Sequence, residues 1–385
     1  MKITIAIDSL KGSLTSLEAG AAIREGILRA MPEAEVCVRP LADGGEGTVE
    51  ALVLGMGGRL ETVEVTGPVG RPVSCTYGVL EEESGRTAII EMSGAAGITL
   101  VEASERNPLY TTTYGVGEVI ADAIGKGCRR FLVGIGGSAT NDGGIGMLQA
   151  LGFDLLDIEG KQVPFGARGL EVLTGIGTEH VLPELACCEF RIACDVSNPL
   201  YGEQGCSAVY GPQKGATPEM IRQMDAWLSA YAKLAEAAGM GEHADLAGAG
   251  AAGGMGFAFH TFLGGRLEPG VQIILNETHL EDYIREADIV VTGEGRLDSQ
   301  TVMGKAPIGV AELAKGQGKK VIAFAGSVTK DAVVCNAAGI DAFFPILRRI
   351  STLEEAMDTE CAYANLADTA EQVFRCISMM EAARR

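Results

Sequence analysis

Residues 2–48 read KITIAIDSLKGSLTSLEAGAAIREGILRAMPEAEVCVRPLADGGEGT, and this stretch sets the fold class. The run over residues 3–7 is short, rich in isoleucine and closed by Asp8, as a strand buried on both faces should be. Thr15 and Glu18 then match the S/T-x-x-E capping box. Ala19, Ala22, Ile23 and Ile27 share one stripe of the helix that follows, which stops near Pro32. A second strand over residues 35–39 delivers the ADGGEGT loop at 42–48, and a short helix runs on to Gly55. This β–α–β–α rhythm predicts a parallel, doubly wound sheet.

The rhythm returns late in the chain. Residues 280–286 read as helix, 288–292 as strand, 293–298 (GEGRLD) as a loop and 308–315 as helix. Strands follow at 321–325 and 341–345, and residues 353–380 read as helix. One doubly wound α/β domain, Rossmann/flavodoxin-like, is therefore expected from residues 1–60 plus 285–385. Between these parts the pattern changes. Residues 61–66 and 73–79, joined by GPVGR, read as a hairpin, and 87–91 as a further strand. Helix 113–124, strand 131–135, helix 144–151, a hairpin around Glu159 and Gly160, strand 191–194 and helix 218–237 come next. GAGAAGGMG at 248–256 reads as a flexible, Gly-rich return. Residues 61–284 are thus expected to form an inserted α/β domain, with the active site in a cleft between the two domains.

A chain of 385 residues exceeds one ordinary core, which agrees with two domains. Its 51 acids against 31 Lys and Arg leave a net charge of −20, which repels a phosphate backbone and excludes nucleic acid as partner. No apolar run reaches membrane length, and the N-terminal one is too short for a signal peptide, so no membrane partner and a cytoplasmic location are expected. Ten cysteines contain no C-x-x-C pair, the signature of a reduced compartment without a zinc site. Cys37 and Cys75 read as small buried hydrophobes. The four histidines, at 180, 243, 260 and 279, form no pair at ligand spacing.

Glycine takes 53 positions, about twice the usual share, and gathers in loops after strands. Four such loops carry charge: residues 8–11, ADGGEGT, GGSATNDGG at 136–144, and GEGRLD. Ligands of open α/β sheets bind beyond the carboxyl ends of the strands. Glycines let the backbone approach a ligand, successive N–H groups suit an anion, and carboxylates suit a metal bridging it. Together these features suggest phosphoryl transfer. Gly136, Gly137, Ser138, Thr140, Asn141 and Asp142 have the composition of a phosphate site at a helix N-terminus, or of a tight turn with ordinary caps. Asp43, Glu46, Glu294 and Asp298 would repel one another unless a divalent cation or a base such as Arg296 sat among them; solvated loop charges are the plainer alternative. Lys11 could meet a carboxylate or phosphate as a point charge. Asp195 suits a general base, or an Asx turn before Asn-Pro. Gln213 and Lys214 of GPQKGA suit a substrate clamp. No Walker A sequence is present, since Gly304–Lys305 lacks the earlier glycine and the following Ser or Thr. No G-x-S-x-G elbow supports a nucleophilic serine. GIGGSA at 134–139, with Asp154 further on, keeps an alternative open: an NAD-dependent oxidoreductase of a small hydroxy acid. A sensing module that binds a sugar acid without turnover is a third reading.

Taken in order, the motifs AIDSLKGSLTS, PLADGGEGT, VTGPVG, NPLYTTTYGVGE, GIGGSATNDGGIGMLQALG, ACDVSNPLYG, GPQKGA, GAGAAGGMG and VTGEGRLDSQTVMGKAP resemble the two-domain glycerate kinase family (type 1) from end to end. That family's opening motif normally reads APDS with an aromatic before the lysine. This chain has Ile7 and Leu10 there and keeps Asp8, Ser9 and Lys11. The resemblance implies phosphorylation of D-glycerate by ATP with Mg2+, 2-phosphoglycerate being favoured over 3-phosphoglycerate, on two α/β domains distinct from P-loop kinases. A homodimer is compatible with it. By position, Lys11, Asp43 and Asp195 match the family's proposed active-site residues, and GGSATND, Glu294 and Arg296 its polar loops. The implied roles are Asp195 as base, Lys11 and Arg296 as neutralising cations, and Asp43, Glu46, Glu294 and Asp298 around the metal. GGSATND would hold ATP, and Asp8, Ser9, Gln213 and Lys214 the substrate.

Overall fold

The computed structural model describes residues 1–42, 47–83 and 85–383, with Leu54 by its backbone alone. Asp43 and Glu46 lie outside the described residues. In chain order the strands are β1 (Lys2–Ile5), β2 (Glu35–Val38), β3 (Arg59–Thr66), β4 (Pro72–Glu82), β5 (Gly85–Glu91), β6 (Cys128–Gly134) and β7 (Asp154–Leu156). They continue with β8 (Gly175–Gly177), β9 (Glu189–Ala193), β10 (Arg266–Glu268), β11 (Ile289–Leu297), β12 (Lys320–Val328) and β13 (Ala342–Pro345). The chain divides into two compact units: one gathers the N-terminal residues from Met1, Glu50–Met56 and the C-terminal part from Val271, the other gathers Gly57–Gly270.

In the first unit all neighbouring strands are parallel, in the order β13-β12-β11-β1-β2. Counted within the unit, that is the flavodoxin-like order 2-1-3-4-5. Ile3, Ile5, Ile289, Val291, Ile322 and Phe324 form one cluster with Ile23 and Ile27 of helix Ser16–Ala30 and Leu366 and Phe374 of helix Thr359–Ala382. The alternate positions Val290, Val321 and Ala323 are buried as well, and helix Ala306–Gly316 packs on β11 and β12. Burial on both faces is why these strands read as unbroken apolar runs. Helix Ser16–Ala30 starts where expected: Thr15 Oγ1 accepts from Glu18 N–H at 3.2 Å, and Thr15 N–H donates to Glu18 Oε2 at 2.8 Å.

Four expectations need correction. β11 does not end at Thr292 but pairs with β12 as far as Leu297 and Val328. Gly293 permits this: its φ is +155°, and a β-carbon there would lie 1.9 Å from the Phe324 carbonyl oxygen. Glu294 and Arg296 therefore ride on a strand, not a loop. The expected C-terminal helix is two helices, Leu353–Met357 and Thr359–Ala382, because Asp358 stops the first and caps the second through Cys361 N–H at 2.9 Å. The return to the first unit falls at Val271 rather than 285. Helix Gly270–Glu277 presents Val271 and Leu275 to Gly309, where a β-carbon would lie 2.7 Å from Val271 Cγ1. Finally, the stretch expected as a flexible, Gly-rich return at 248–256 is mostly buried and contributes Ala249, Ala251 and Met255 to the core of the second unit.

The second unit has a six-stranded sheet in the order β10-β9-β6-β5-β4-β3 and a separate β7–β8 pair. β3, β4 and β5 form an antiparallel meander, and β5, β6, β9 and β10 are parallel. Its core joins sheet residues such as Phe131 and Phe190 to Val119, Leu148, Leu228 and Phe259 of four helices. The Phe131 and Phe190 rings stack at 4.7 Å.

Candidate active site

In the 2-1-3-4-5 order, right-handed crossovers from β1 and from β11 leave on opposite faces, so the crevice beyond their carboxyl ends is the switch point of the sheet. Asp8 sits there directly after β1, its N–H donating to the Gly293 carbonyl at 2.9 Å. Ser9 N–H donates to Asp8 Oδ1 at 2.7 Å. Ser16 Oγ donates to the Ile7 carbonyl at 2.8 Å and accepts from Leu41 N–H at 3.1 Å, fixing the ends of two loops. A cavity of about 430 Å3 opens at this point, lined by Asp8, Ser9, Lys11, Glu294, Arg296, Asp298 and Lys305 among others.

Glu294 is 8% exposed. Its Oε1 accepts from Thr301 Oγ1 at 2.7 Å and its Oε2 from Lys305 Nζ at 3.2 Å. Burial raises the Glu294 pKa, while Thr301 and Lys305 hold it down. Arg296 Nε lies 3.4 Å from Asp298 Oδ2, and its guanidinium is largely exposed. Lys305 and Thr301 were missed in the sequence. The available signal was the lysine after Gly304, discarded because it fits no Walker motif.

Among the described residues no group of three or more His, Cys, Asp or Glu is placed to hold a metal ion. The four expected acids are thus not shown together: Asp43 and Glu46 lie outside the described residues, and both Glu294 oxygens are engaged by Thr301 and Lys305. The remaining donors still suit Mg2+, which takes only one or two carboxylates and completes its shell with water and phosphate. Asp8 and Asp298 line the same cavity as three cations.

In the second unit the GGSATNDGG loop follows β6, but only Gly136 and Gly137 are exposed. Ser138 is 6% exposed, and Thr140, Asn141 and Asp142 are fully buried. Asp142 Oδ2 accepts from Thr113 N–H and Oγ1, each at 2.9 Å, and Oδ1 accepts from Gly144 N–H at 3.1 Å. Asn141 Nδ2 donates to Ser207 Oγ at 2.8 Å. The Asp142 carboxylate and the Asn141 amide nitrogen thus fasten the loop internally, while Thr140 Oγ1 and Asn141 Oδ1 are buried without a hydrogen-bond partner. Lys214 is likewise no open clamp: it is 2% exposed, and its Nζ donates to Ser138 Oγ at 2.8 Å and the Thr140 carbonyl at 2.6 Å. Burial lowers its pKa to about 8. Gln213 is exposed.

The 248–256 segment closes this knot. Gly253, at φ +73°, would place a β-carbon 2.2 Å from the Thr140 carbonyl oxygen, and its own carbonyl accepts from Gly143 N–H at 2.9 Å. Ala252 is held at φ +53°, uncommon for a residue with a side chain. Asp195 follows β9, is exposed, and accepts from Gly270 N–H at 2.9 Å through Oδ1. His243 and His260, unrelated in sequence spacing, lie with ring centroids 4.6 Å apart, and their Nδ1 atoms meet Thr261 Oγ1 at 3.3 Å and the Gly265 carbonyl at 2.9 Å.

The nicotinamide alternative finds no support in this geometry. Gly97 bridges Ser138, and Ala139 N–H donates to the Ala96 carbonyl at 2.9 Å. The helix begins only at Ile145, whereas a dinucleotide loop opens directly onto its helix. Asp154 pairs with His180 at 2.8 Å.

Residues 3–378 match the model of the glycerate kinase family. A glycerate kinase of Haemophilus influenzae is 48% identical over 98% of this chain and 99% of that protein. A glycerate 2-kinase of Escherichia coli is 46% identical over 97% of each. A crystal structure assigned as glycerate kinase 2 from Salmonella typhimurium LT2 superposes with a TM-score of 0.91 at 47% identity, over 99% of both chains.

Proposed function

The chain belongs to the glycerate kinase family, and from that premise we propose that it transfers the γ-phosphoryl group of ATP to D-glycerate with Mg2+, giving 2-phosphoglycerate. The observation that carries the reading is the switch-point cavity, where Lys11, Arg296 and Lys305 alternate with Asp8, Glu294 and Asp298. Phosphoryl transfer needs little covalent chemistry from the protein; positioning and charge compensation do most of the work. Bound Mg2+ would neutralise charge on the transferring group, and Asp8 and Asp298, which line the cavity, would supply carboxylate donors to it. Lys11 and Lys305 orient the phosphoryl oxygens, and Glu294 fixes Lys305 in place.

In the second unit, the exposed Gly136–Gly137 turn and Gln213 offer donors for the small acid. Asp195 accepts the proton of the attacking hydroxyl. We assign the Gly-rich loop to the acceptor on its two exposed glycines, Gly136 and Gly137. A cytoplasmic location accords with ten free cysteines. Among the described residues no helix is long and apolar enough to cross a membrane. Phosphorus NMR after incubation with D-glycerate and Mg-ATP tests the reading. A 2-phosphoglycerate signal is expected; the 3-isomer would overturn the product assignment, and no phosphoglycerate would overturn the donor or the acceptor.

A further inference from the structure

We propose that the apolar part of the switch-point cavity seats the base of an adenine nucleotide, with Asn365 reading the purine edge. The proposal rests on the ATP-dependent reading above and deepens it. A cavity of about 430 Å3 lies within the range that holds ligands much larger than a three-carbon acid. Its lining is also of two kinds. Beside the charged residues stand Leu10, Ile346, Leu347, Leu353, Ala356 and Met357. Glycerate carries oxygen on every carbon, so contact with leucine and methionine would strip its water without return. A flat heteroaromatic ring, by contrast, gains from covering such a surface. Leu353 is 79% exposed and Met357 37%, so apolar area at this site remains to be covered.

Charge selects the rest of the ligand. Lys11, Arg296 and Lys305 suit a polyphosphate tail carrying Mg2+. Ser13 also lines the cavity, and its buried hydroxyl has no hydrogen-bond partner, which leaves a donor for a phosphate oxygen. Asn365, on helix Thr359–Ala382, reaches the same cavity, and none of the described hydrogen bonds engages its side-chain amide. That amide presents one donor and one acceptor, the complement of the N7 acceptor and 6-amino donor of adenine. A 6-oxo purine offers two acceptors on that edge and leaves the amide oxygen unmatched.

Calorimetric titration of the full chain with Mg-ATP, Mg-inosine triphosphate and Mg-tripolyphosphate tests the assignment. Asn365→Leu should weaken Mg-ATP about 10-fold and leave tripolyphosphate unchanged. Leu353→Ser, at an exposed position, should weaken both nucleotides and again spare tripolyphosphate. Variants that weaken all three ligands equally, or none, would overturn the proposal. Cross-linking with 2-azido-ATP should label residues 347–357 or Asn365; label confined to Gly57–Gly270 would overturn it. If the wild type makes phosphoglycerate from ATP while the label falls elsewhere, only this inference fails. If ATP yields no phosphoglycerate, the donor assignment itself falls.

Discussion

The ends of β11 and β6 both combine glycines with polar residues and put them to opposite uses. After Gly293, Glu294, Arg296 and Asp298 line an open cavity. After β6, Ser138, Thr140, Asn141 and Asp142 turn inward and bond to Lys214, Ser207 and Thr113. Glycine serves the first by letting a strand run close to its neighbour, and the second by letting two loops touch backbone to backbone. A cluster of glycines and polar residues therefore marks close approach, and what approaches is either a ligand or another part of the chain.

Substitutions can break this contrast, and the strongest should act on chemistry. Asp195→Asn is expected to lower kcat by roughly 10²- to 10⁴-fold while the melting temperature stays put, since the amide oxygen can still accept from Gly270 N–H. Near-normal turnover in a folded variant would strip Asp195 of its role. Gly253→Ala strikes the buried knot instead. A β-carbon 2.2 Å from the Thr140 carbonyl should cost about 3 kcal/mol, read as a fall in melting temperature, with any activity loss following from unfolding. An unchanged melting curve would mean that the seam is not tight.

Lys214→Met sharpens the contrast through pH. In the folded protein burial depresses the lysine pKa from 10.5 to about 8. Between those values the unfolded chain binds the extra proton, so wild-type stability gains as pH rises through that window, by up to roughly 3 kcal/mol. The variant lacks this gain, and the gap between the two melting temperatures should widen from pH 7.5 to pH 10. A gap constant with pH would place the ammonium in contact with solvent. Arg296→Ala should do least to stability, under about 1 kcal/mol, because its pair with Asp298 is largely exposed. Its effect should appear in catalysis alone.

Much of the first unit was legible in residues 2–48 because each signal there is local: the Thr15 and Glu18 box, the helix stripe and the apolar runs all act within a few residues. The extension of β11 was not legible, because Gly293 reports its contact with Phe324 only once β12 lies beside it. Lys11, Glu294, Arg296 and Asp298 share one cavity as strand-end chemistry suggested. The inward turn of Asn141 and Asp142 stayed hidden, since a buried asparagine and an exposed one look alike in a string of letters. Lys214 was noticed for its glycine-bounded loop, yet its burial depends on Ser138 and Thr140, more than seventy residues away.

β1 lies between β2 and β11, and Ile3 pairs with both Val36 and Ile289. A nascent chain emerging from the ribosome therefore holds its first strand half-satisfied until residue 289 is synthesised, whereas Gly57–Gly270 already contains every partner its own sheet requires. The inserted unit should mature first, and premature termination before β11 should leave an apolar edge that invites aggregation and chaperone capture.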